Sequence, residues 1–219
     1  DIANAEAAYQ HVLQAEPDQP VALDMLGVIA LQKGAADTAV DLISKAIVIT
    51  PDDANAHCNL GMALHALGKL DAAVDSFRKA IAIAPNDAEA HNNLGNAFCA
   101  LGQLEDAVAS YRQAVAIRAD FAEAHSNLGH AFKEMGKLED AVANCRQALA
   151  IKPDYAEAHS NLGNAHQMMG RLDDAVESYH QAIAINPEAA KSHYNLGNAL
   201  QLLGRLDEAV ASFQRSLAI

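Results

Sequence analysis

Residues 88–121 read AEAHNNLGNAFCALGQLEDAVASYRQAVAIRADF, and residues 122–155 read AEAHSNLGHAFKEMGKLEDAVANCRQALAIKPDY. The second stretch repeats the pattern of the first without insertion, so the sequence has a period of 34 residues. All 12 glycines follow this period in two registers. The first register is Gly27, Gly61, Gly95, Gly129, Gly163 and Gly197, and the second is Gly34, Gly68, Gly102, Gly136, Gly170 and Gly204. Five prolines form a third register: Pro17, Pro51, Pro85, Pro153 and Pro187.

Each register predicts a different structural role. A first-register glycine lies inside an apolar helical pattern, where it costs about 1 kcal/mol relative to Ala, so we expect a neighbouring helix too close for a β-carbon. A second-register glycine follows the last helical turn and predicts a left-handed cap. The prolines stop the next helix. Each repeat therefore contains two amphipathic helices, for example residues 88–101 and 105–117, and the fold class is all-α. Asp120-x-x-Glu123 and Asp154-x-x-Glu157 have the form of capping boxes.

Composition narrows the functional classes. Half of the 219 residues are apolar (51%), but only 5% are aromatic and Trp is absent, which suits close-packed helices better than a thick globular core. The net charge of −13 argues against nucleic acid and anionic membranes as partners. No apolar run approaches the roughly 18 residues of a membrane span. Cys58, Cys99 and Cys145 are far apart and odd in number, which favours free thiols and a cytoplasmic location.

A resemblance follows from these motifs. A 34-residue helix–turn–helix repeat with Leu-Gly, then an aromatic residue, an Ala, a second aromatic residue and a second Ala is similar to the tetratricopeptide repeat. In residues 88–121 these positions are Leu94, Gly95, Phe98, Ala107, Tyr111 and Ala114. The resemblance covers essentially the whole chain and implies a right-handed α-α superhelix that acts as a protein–protein interaction scaffold. His stands where the family usually has Trp, and Cys145 replaces one aromatic residue.

The register also predicts the organisation of the chain as a single array over residues 1–219. Residues 1–19 form the second helix of a partial repeat. Complete repeats follow at 20–53, 54–87, 88–121, 122–155 and 156–189, and residues 190–219 form a truncated one. Both ends stop inside the pattern, so we expect a longer native protein. We also expect end-to-end self-association through the uncapped terminal faces.

The candidate site lies on the first helix of each repeat, because first helices line the concave groove of such arrays. Asn is a mediocre helix former, so its recurrence just before each Leu-Gly needs a reason. This column is Asn59, Asn93, Asn127, Asn161 and Asn195, and a partial second column one turn away is Asn96, Asn164 and Asn198. An amide matches the N–H and C=O of a peptide bond, so we predict that the columns grip an extended polypeptide segment of another protein. The alternative is that the amides satisfy local groups between repeats.

The same asparagine column resembles the repeat arm of O-GlcNAc transferases, in which it holds the acceptor polypeptide. The resemblance implies one alternative to a free-standing scaffold, the recognition arm of a larger glycosyltransferase. A second alternative is an assembly module, in which the exposed end helices or the convex surface drive oligomerisation. Within these residues we find no nucleophile–base pair or phosphate loop, and we predict no catalysis, no cofactor and no metal site. The column His57, His91, His125, His159 and His193 is expected to pack structurally, since repeat stacking separates the rings by about 10 Å.

Binding of acidic chaperone tails is disfavoured on sequence. Repeats with that function carry Lys or Arg beside the groove asparagine. Here the corresponding positions are Cys58, Asn92, Ser126 and Ser160. We therefore expect that an anionic tail meets no cation in the groove.

Overall fold

The fold consists of paired helices. The computed structural model describes residues 2–219, and these residues form thirteen α-helices and no strand. The helices are α1 (Ile2–Ala15), α2 (Pro20–Gln32), α3 (Ala36–Ile49), α4 (Ala54–Ala66), α5 (Leu70–Ile83), α6 (Ala88–Ala100), α7 (Leu104–Ile117), α8 (Ala122–Glu134), α9 (Leu138–Ile151), α10 (Ala156–Met168), α11 (Leu172–Ile185), α12 (Ala190–Leu202) and α13 (Leu206–Ala218). The all-α repeat fold predicted from the sequence is confirmed.

The turn between the helices of each hairpin depends on the second-register glycines. Gly34, Gly68, Gly102, Gly136, Gly170 and Gly204 all have positive φ, between 71° and 80°. At Gly68 the N–H also donates to the carbonyl of His65 (2.9 Å), and the N–H of Lys69 donates to that of Leu64 (2.9 Å). These bonds satisfy carbonyls at the end of α4 that have no intrahelical partner. The predicted left-handed cap is confirmed.

The first-register glycines allow close contact within each hairpin. A β-carbon at Gly61 would lie 2.6 Å from Cε1 of Phe77, and one at Gly95 would lie 2.5 Å from Cε1 of Tyr111. Both rings come from the second helix of the same hairpin and lie flat against the glycine. The rings are almost fully buried, and alanines with no exposed surface, such as Ala107 and Ala114, complete the packing. The predicted close approach is confirmed.

Two helix starts differ from the prediction. The capping boxes expected at Asp120 and Asp154 are wrong, because the N-cap positions of α8 and α10 are taken by Phe121 and Tyr155, which make no side-chain cap bond. The Phe121 ring instead lies 3.6 Å from the guanidinium carbon of Arg118, a cation–π contact that holds the turn. Asp120 and Asp154 each precede the N-cap residue by one position, so their side chains do not cap the first-turn N–H groups.

Contacts divide the chain into two compact units, one ending at Ile117 (unit 1) and one covering Arg118–Ile219 (unit 2). Within each unit, the second helix of a hairpin packs against the first helix of the next. First helices of successive hairpins also touch (α2 with α4, α4 with α6, α8 with α10, α10 with α12), whereas no such contact joins described second helices. Each unit therefore curves with its first helices on the concave side.

Candidate functional site

Helices α4, α6, α8, α10 and α12 each carry a stripe of four residues that includes the predicted asparagine positions. Their spacing of four, three and four residues keeps them on one helix face. We call this set the concave stripe. In unit 2 the stripes are Glu123, Asn127, His130 and Glu134 on α8, Glu157, Asn161, Asn164 and Met168 on α10, and Lys191, Asn195, Asn198 and Leu202 on α12. In unit 1, α4 carries Asn55, Asn59, Met62 and Ala66, and α6 carries Glu89, Asn93, Asn96 and Ala100.

The asparagines of the first column bond to the preceding hairpin. In unit 1, Nδ2 of Asn59 donates to both carboxylate oxygens of Asp24 (2.9 and 3.1 Å). Nδ2 of Asn93 lies 3.7 Å from Sγ of Cys58. In both cases the partner lies 35 residues earlier, on the neighbouring first helix. These amides therefore tie adjacent hairpins together.

Unit 2 has the same kind of hydrogen bond between adjacent hairpins. Nδ2 of Asn161 donates to Oγ of Ser126 (3.1 Å), again 35 residues earlier, and Asn161 is buried. Nδ2 of Asn195 donates instead to Oδ1 of Asn164 (3.0 Å). Asn127 occupies the equivalent place on α8. The sequence left open the alternative that these amides form hydrogen bonds between repeats. Their nitrogen atoms do so.

The oxygen atoms of these amides remain available. Oδ1 of Asn59, Asn93, Asn161 and Asn195 accepts no hydrogen bond from residues 2–219. None of these oxygens is among the described side-chain atoms that are both buried and unpartnered. Each is therefore a fixed, accessible acceptor, because the internal bond through Nδ2 sets the orientation of the amide.

The second column has a role that sequence reasoning missed. Oδ1 of Asn164 accepts from the hydroxyl of Tyr179 (2.8 Å), and Oδ1 of Asn96 accepts from that of Tyr111 (2.8 Å). Both tyrosines are buried, so the asparagine satisfies a hydroxyl that would otherwise be costly. Asn198 lies in a hairpin whose second helix carries Phe213, which has no hydroxyl. The pairing of Asn with a Tyr 15 residues later was a signal in the sequence.

In unit 2 the stripes line two adjoining clefts. The first is a cleft of about 340 Å³ that contains Asn161, Asn164 and Asn195. Its other lining residues are His130, Ala156, Glu157, Ser160, Asn186, Ala189, Lys191 and Ser192. The second, of about 430 Å³, is lined by Lys133, Asn164, Gln167, Met168, Lys191, Asn195 and Leu202. The clefts share Asn164, Lys191 and Asn195, so they form one concave surface.

This surface contradicts the expectation that the groove holds no cation. Lys133 and Lys191 both line it. Lys133 lies on α8 and Lys191 on α12, two hairpins apart in sequence. The sequence reading failed because it considered one position per repeat, whereas stacking of the hairpins brings together side chains from different positions.

The histidine column has the structural role expected. Nε2 of His57, His91, His125, His159 and His193 lies 2.8–3.1 Å from the backbone carbonyl oxygen of the residue six positions earlier. Because a carbonyl can only accept, Nε2 carries the proton and donates. Each ring therefore fastens the turn before its helix. Among residues 2–219, no group of three or more His, Cys, Asp or Glu side chains is arranged to hold a metal ion.

The cysteines on the first helices are Cys58 and Cys99. Cys58 lies on a first helix but is buried, and burial, the largest effect, raises the pKa of its thiol to about 11. The thiol is therefore protonated at neutral pH and is a poor nucleophile. Its sulfur serves as the weak acceptor for Asn93 described above.

As for membranes, none of the helices between residues 2 and 219 is both long enough and apolar enough for a bilayer span.

Family comparisons agree with the architecture. A family model described as TPR repeat matches residues 27–68, 61–99, 95–136 and 129–170, and one described as tetratricopeptide repeat matches residues 154–219. No curated protein matches the chain.

Among solved structures, that of MamA is 30% identical and has a TM-score of 0.64, covering 73% of this chain and 93% of MamA. A chain of the APC/C hetero-tetramer Cut9-Hcn1 has a TM-score of 0.88 at 18% identity and covers 100% of this chain and 43% of its own length. YrrB, described as a TPR protein with an unusual peptide-binding site, has a TM-score of 0.64 at 19% identity, with coverage of 84% and 95%. The last two likenesses concern the fold alone.

Proposed function

The chain belongs to the tetratricopeptide repeat family, whose members are protein-interaction scaffolds, and we propose that its concave stripes bind an extended polypeptide segment of another protein. In unit 1 such a segment lies across the first helices beside Asn59 and Asn93, and in unit 2 it lies beside Asn127, Asn161 and Asn195. The second column, Asn96, Asn164 and Asn198, flanks it. Asn164 contributes through Nδ2, because its oxygen accepts from the buried Tyr179.

One observation carries the proposal. In Asn59, Asn93, Asn161 and Asn195 the amide nitrogen is used internally, and the amide oxygen is fixed and open. The natural donor for such an oxygen is the N–H of a peptide bond, which every segment supplies whatever its side chains. The column is thus suited to binding polypeptide backbone rather than a particular side-chain sequence.

The spacing of the column supports an extended conformation. Packed helices are separated by about 8–10 Å. An extended chain advances about 3.3 Å per residue, so neighbouring asparagines are about three residues apart along it. A segment that follows the three asparagines of unit 2 is about 7 residues long by the same estimate. YrrB, which has the same fold, is described as having a peptide-binding site, which is consistent with a peptide ligand here.

Two other functions drawn from the sequence stay secondary. If the chain is the recognition arm of a glycosyltransferase, it holds the acceptor polypeptide through the same asparagine column. That alternative therefore includes the peptide binding proposed here. An assembly module would act without a peptide ligand. The cytoplasmic location stays a prediction based on the free thiols.

A display selection tests the proposal. Random 12-residue peptides are selected on the immobilised full chain, on the double variant Asn161→Ala/Asn195→Ala, and on Asn144→Ala as a control. Asn144 lies on the second helix α9 and bonds to its own backbone. We expect the wild type and the control to enrich overlapping sets of peptides and the double variant to lose them. Equal enrichment on the double variant, with the fold intact by circular dichroism, would show that the column does not bind the segment.

A further inference from the structure

Cations are rare on the first helices. Of the 15 Lys and Arg residues in the chain, only Lys133 and Lys191 lie within α2, α4, α6, α8, α10 or α12. Both line the concave surface of unit 2. In a chain with a net charge of −13, the second cleft is lined by these two lysines and by no acidic residue among residues 2–219, although Glu157 lines the first cleft.

Lys191 is unfavourable for its own helix. It is the second residue of α12, where α6, α8 and α10 carry Glu89, Glu123 and Glu157. The first turn of a helix favours an anion, because unpaired N–H groups and the macrodipole place positive charge there. Local structure therefore gives no reason for a lysine at this position, and positions that break a local rule are often functional.

Lys191 has no direct partner within the described residues, although its charge, after the hydrogen bond from Lys133, helps to lower the pKa of the Glu134 carboxyl. Lys191 makes no hydrogen bond or ion pair with any residue between 2 and 219, whereas Nζ of Lys133 lies 2.6 Å from Oε1 of Glu134. His130 lies beside this pair, and burial, the largest effect, lowers its pKa, so it is neutral at pH 7. Glu157, which lines the first cleft together with Lys191, accepts from the hydroxyl of Tyr155 (3.3 Å).

An apolar strip lies on the other side of the asparagines. Met168 and Leu202, the last members of the α10 and α12 stripes, line the second cleft and are 57% and 64% exposed. Exposed large apolar side chains in a cleft rimmed by polar groups are typical of interaction surfaces. In α12, Asn195 follows Lys191 by four residues (about 6 Å) and precedes Leu202 by seven (about 10 Å) along the helix axis.

From this arrangement we infer that unit 2 selects a segment with an acidic side chain and a large apolar side chain at an odd separation. The inference rests on the proposed binding along the asparagine column. A segment over that column has Lys191 on one flank and Met168 and Leu202 on the other. Side chains of an extended chain alternate between two directions, so residues one or three apart point to opposite flanks. The acidic side chain pairs with the Lys191 ammonium, and the apolar one covers the Met168–Leu202 strip.

The test compares peptides selected from the random 12-residue library on the wild type and on Lys191→Glu. Glutamate suits the first turn of α12, so the variant is expected to fold. Lys137→Glu is the control, since it makes the same change of charge outside both clefts. We expect Asp and Glu to be enriched next to, or three residues from, Leu, Ile, Met or Phe on the wild type and the control. On Lys191→Glu we expect the acidic preference to disappear.

A selected peptide then provides a quantitative check. Replacing its acidic residue by the amide should raise Kd about two- to fivefold on the wild type, less at high salt, and not at all on Lys191→Glu. This inference would be overturned if the peptides require Asn161 and Asn195 but show no preference for Asp or Glu. It would also be overturned if that preference persists on Lys191→Glu. Either outcome leaves the proposed function standing. Failure of the wild type to enrich any peptide would overturn both.

Discussion

Nδ2 of Asn161 lies 3.1 Å from Oγ of Ser126, a residue 35 positions earlier on the neighbouring first helix. This bond joins two hairpins at a buried point and fixes the direction of the Asn161 amide. The same residue therefore serves stability through its nitrogen and is proposed to serve recognition through its oxygen. The two roles can be separated by changing the partner and not the asparagine.

Ser126→Ala removes the acceptor and leaves a buried donor unsatisfied. We expect a loss of about 1–3 kcal/mol in the free energy of unfolding, measured by urea denaturation. Ser178→Ala is the matched control, because this buried serine bonds only to the carbonyl of Asp174 in its own helix (2.8 Å). That bond slightly opposes the helix, so the control should be nearly neutral. Equal losses in the two variants would contradict the structural role of the Asn161 bond.

Gly61→Ala tests the packing of the first-register glycines. The new β-carbon would lie 2.6 Å from the Phe77 ring, and the buried ring has no room to move away. We expect destabilisation of about 1–3 kcal/mol by overpacking. The double variant Gly61→Ala/Phe77→Leu should cost less than the sum of the two single changes, as a double-mutant cycle would show. Strict additivity would mean that the glycine and the ring are not coupled.

Asp24→Asn removes a buried charge. Burial, the largest effect, raises the pKa of this carboxyl, so its ionised form is less favourable in the folded chain than in the unfolded one. We expect the variant to be more stable at pH 7, because Asn keeps the shape and can still accept from Asn59. The gain should shrink as the pH falls through the raised pKa towards about 4, where the wild-type carboxyl becomes neutral. A gain that does not depend on pH would contradict this reading.

His166→Phe removes a buried polar ring. His166 is only 5% exposed, and neither ring nitrogen has a hydrogen-bond partner within residues 2–219, whereas Phe98 and Phe132 occupy the equivalent core position. We expect a gain of about 1–3 kcal/mol at pH 7.5.

The gain should grow at acid pH. Burial, the largest effect, lowers the pKa of His166, so below about 6.5 the unfolded wild type binds a proton that the folded chain does not. Urea denaturation at pH 7.5 and 5.5 measures both effects. His180→Phe, at an exposed site on α11, is the control. A gain that stays constant between the two pH values would show that protonation of His166 is not linked to unfolding.

Much of the fold could be predicted from the glycine and proline registers, because each marks a backbone event that few other residues permit. The left-handed turn at Gly68 and the close contact at Gly61 both follow from that logic. The helix starts were harder. At Phe121 an aromatic ring stacked on Arg118 replaces the expected cap, and a contact of that kind is not visible in a capping motif.

The site was only half predictable. The position of the asparagines on one face of each first helix follows from helical spacing. The bond from Asn161 to Ser126 depends on how adjacent hairpins stack, which a single repeat does not encode. For the same reason the two lysines on one concave surface were missed, since Lys133 and Lys191 occupy different positions in their repeats.

Backbone recognition by the asparagine oxygens is the central claim, and N-methylation of a bound peptide tests it most directly. A peptide selected on the wild type is prepared with one backbone amide methylated at a time, and Kd is measured by fluorescence anisotropy on the wild type and on Asn161→Ala. We predict that methylation of each amide that donates to the column raises Kd about tenfold, and that one of these losses disappears on Asn161→Ala. Tolerance of methylation at every amide, or the same profile on both chains, would contradict the account.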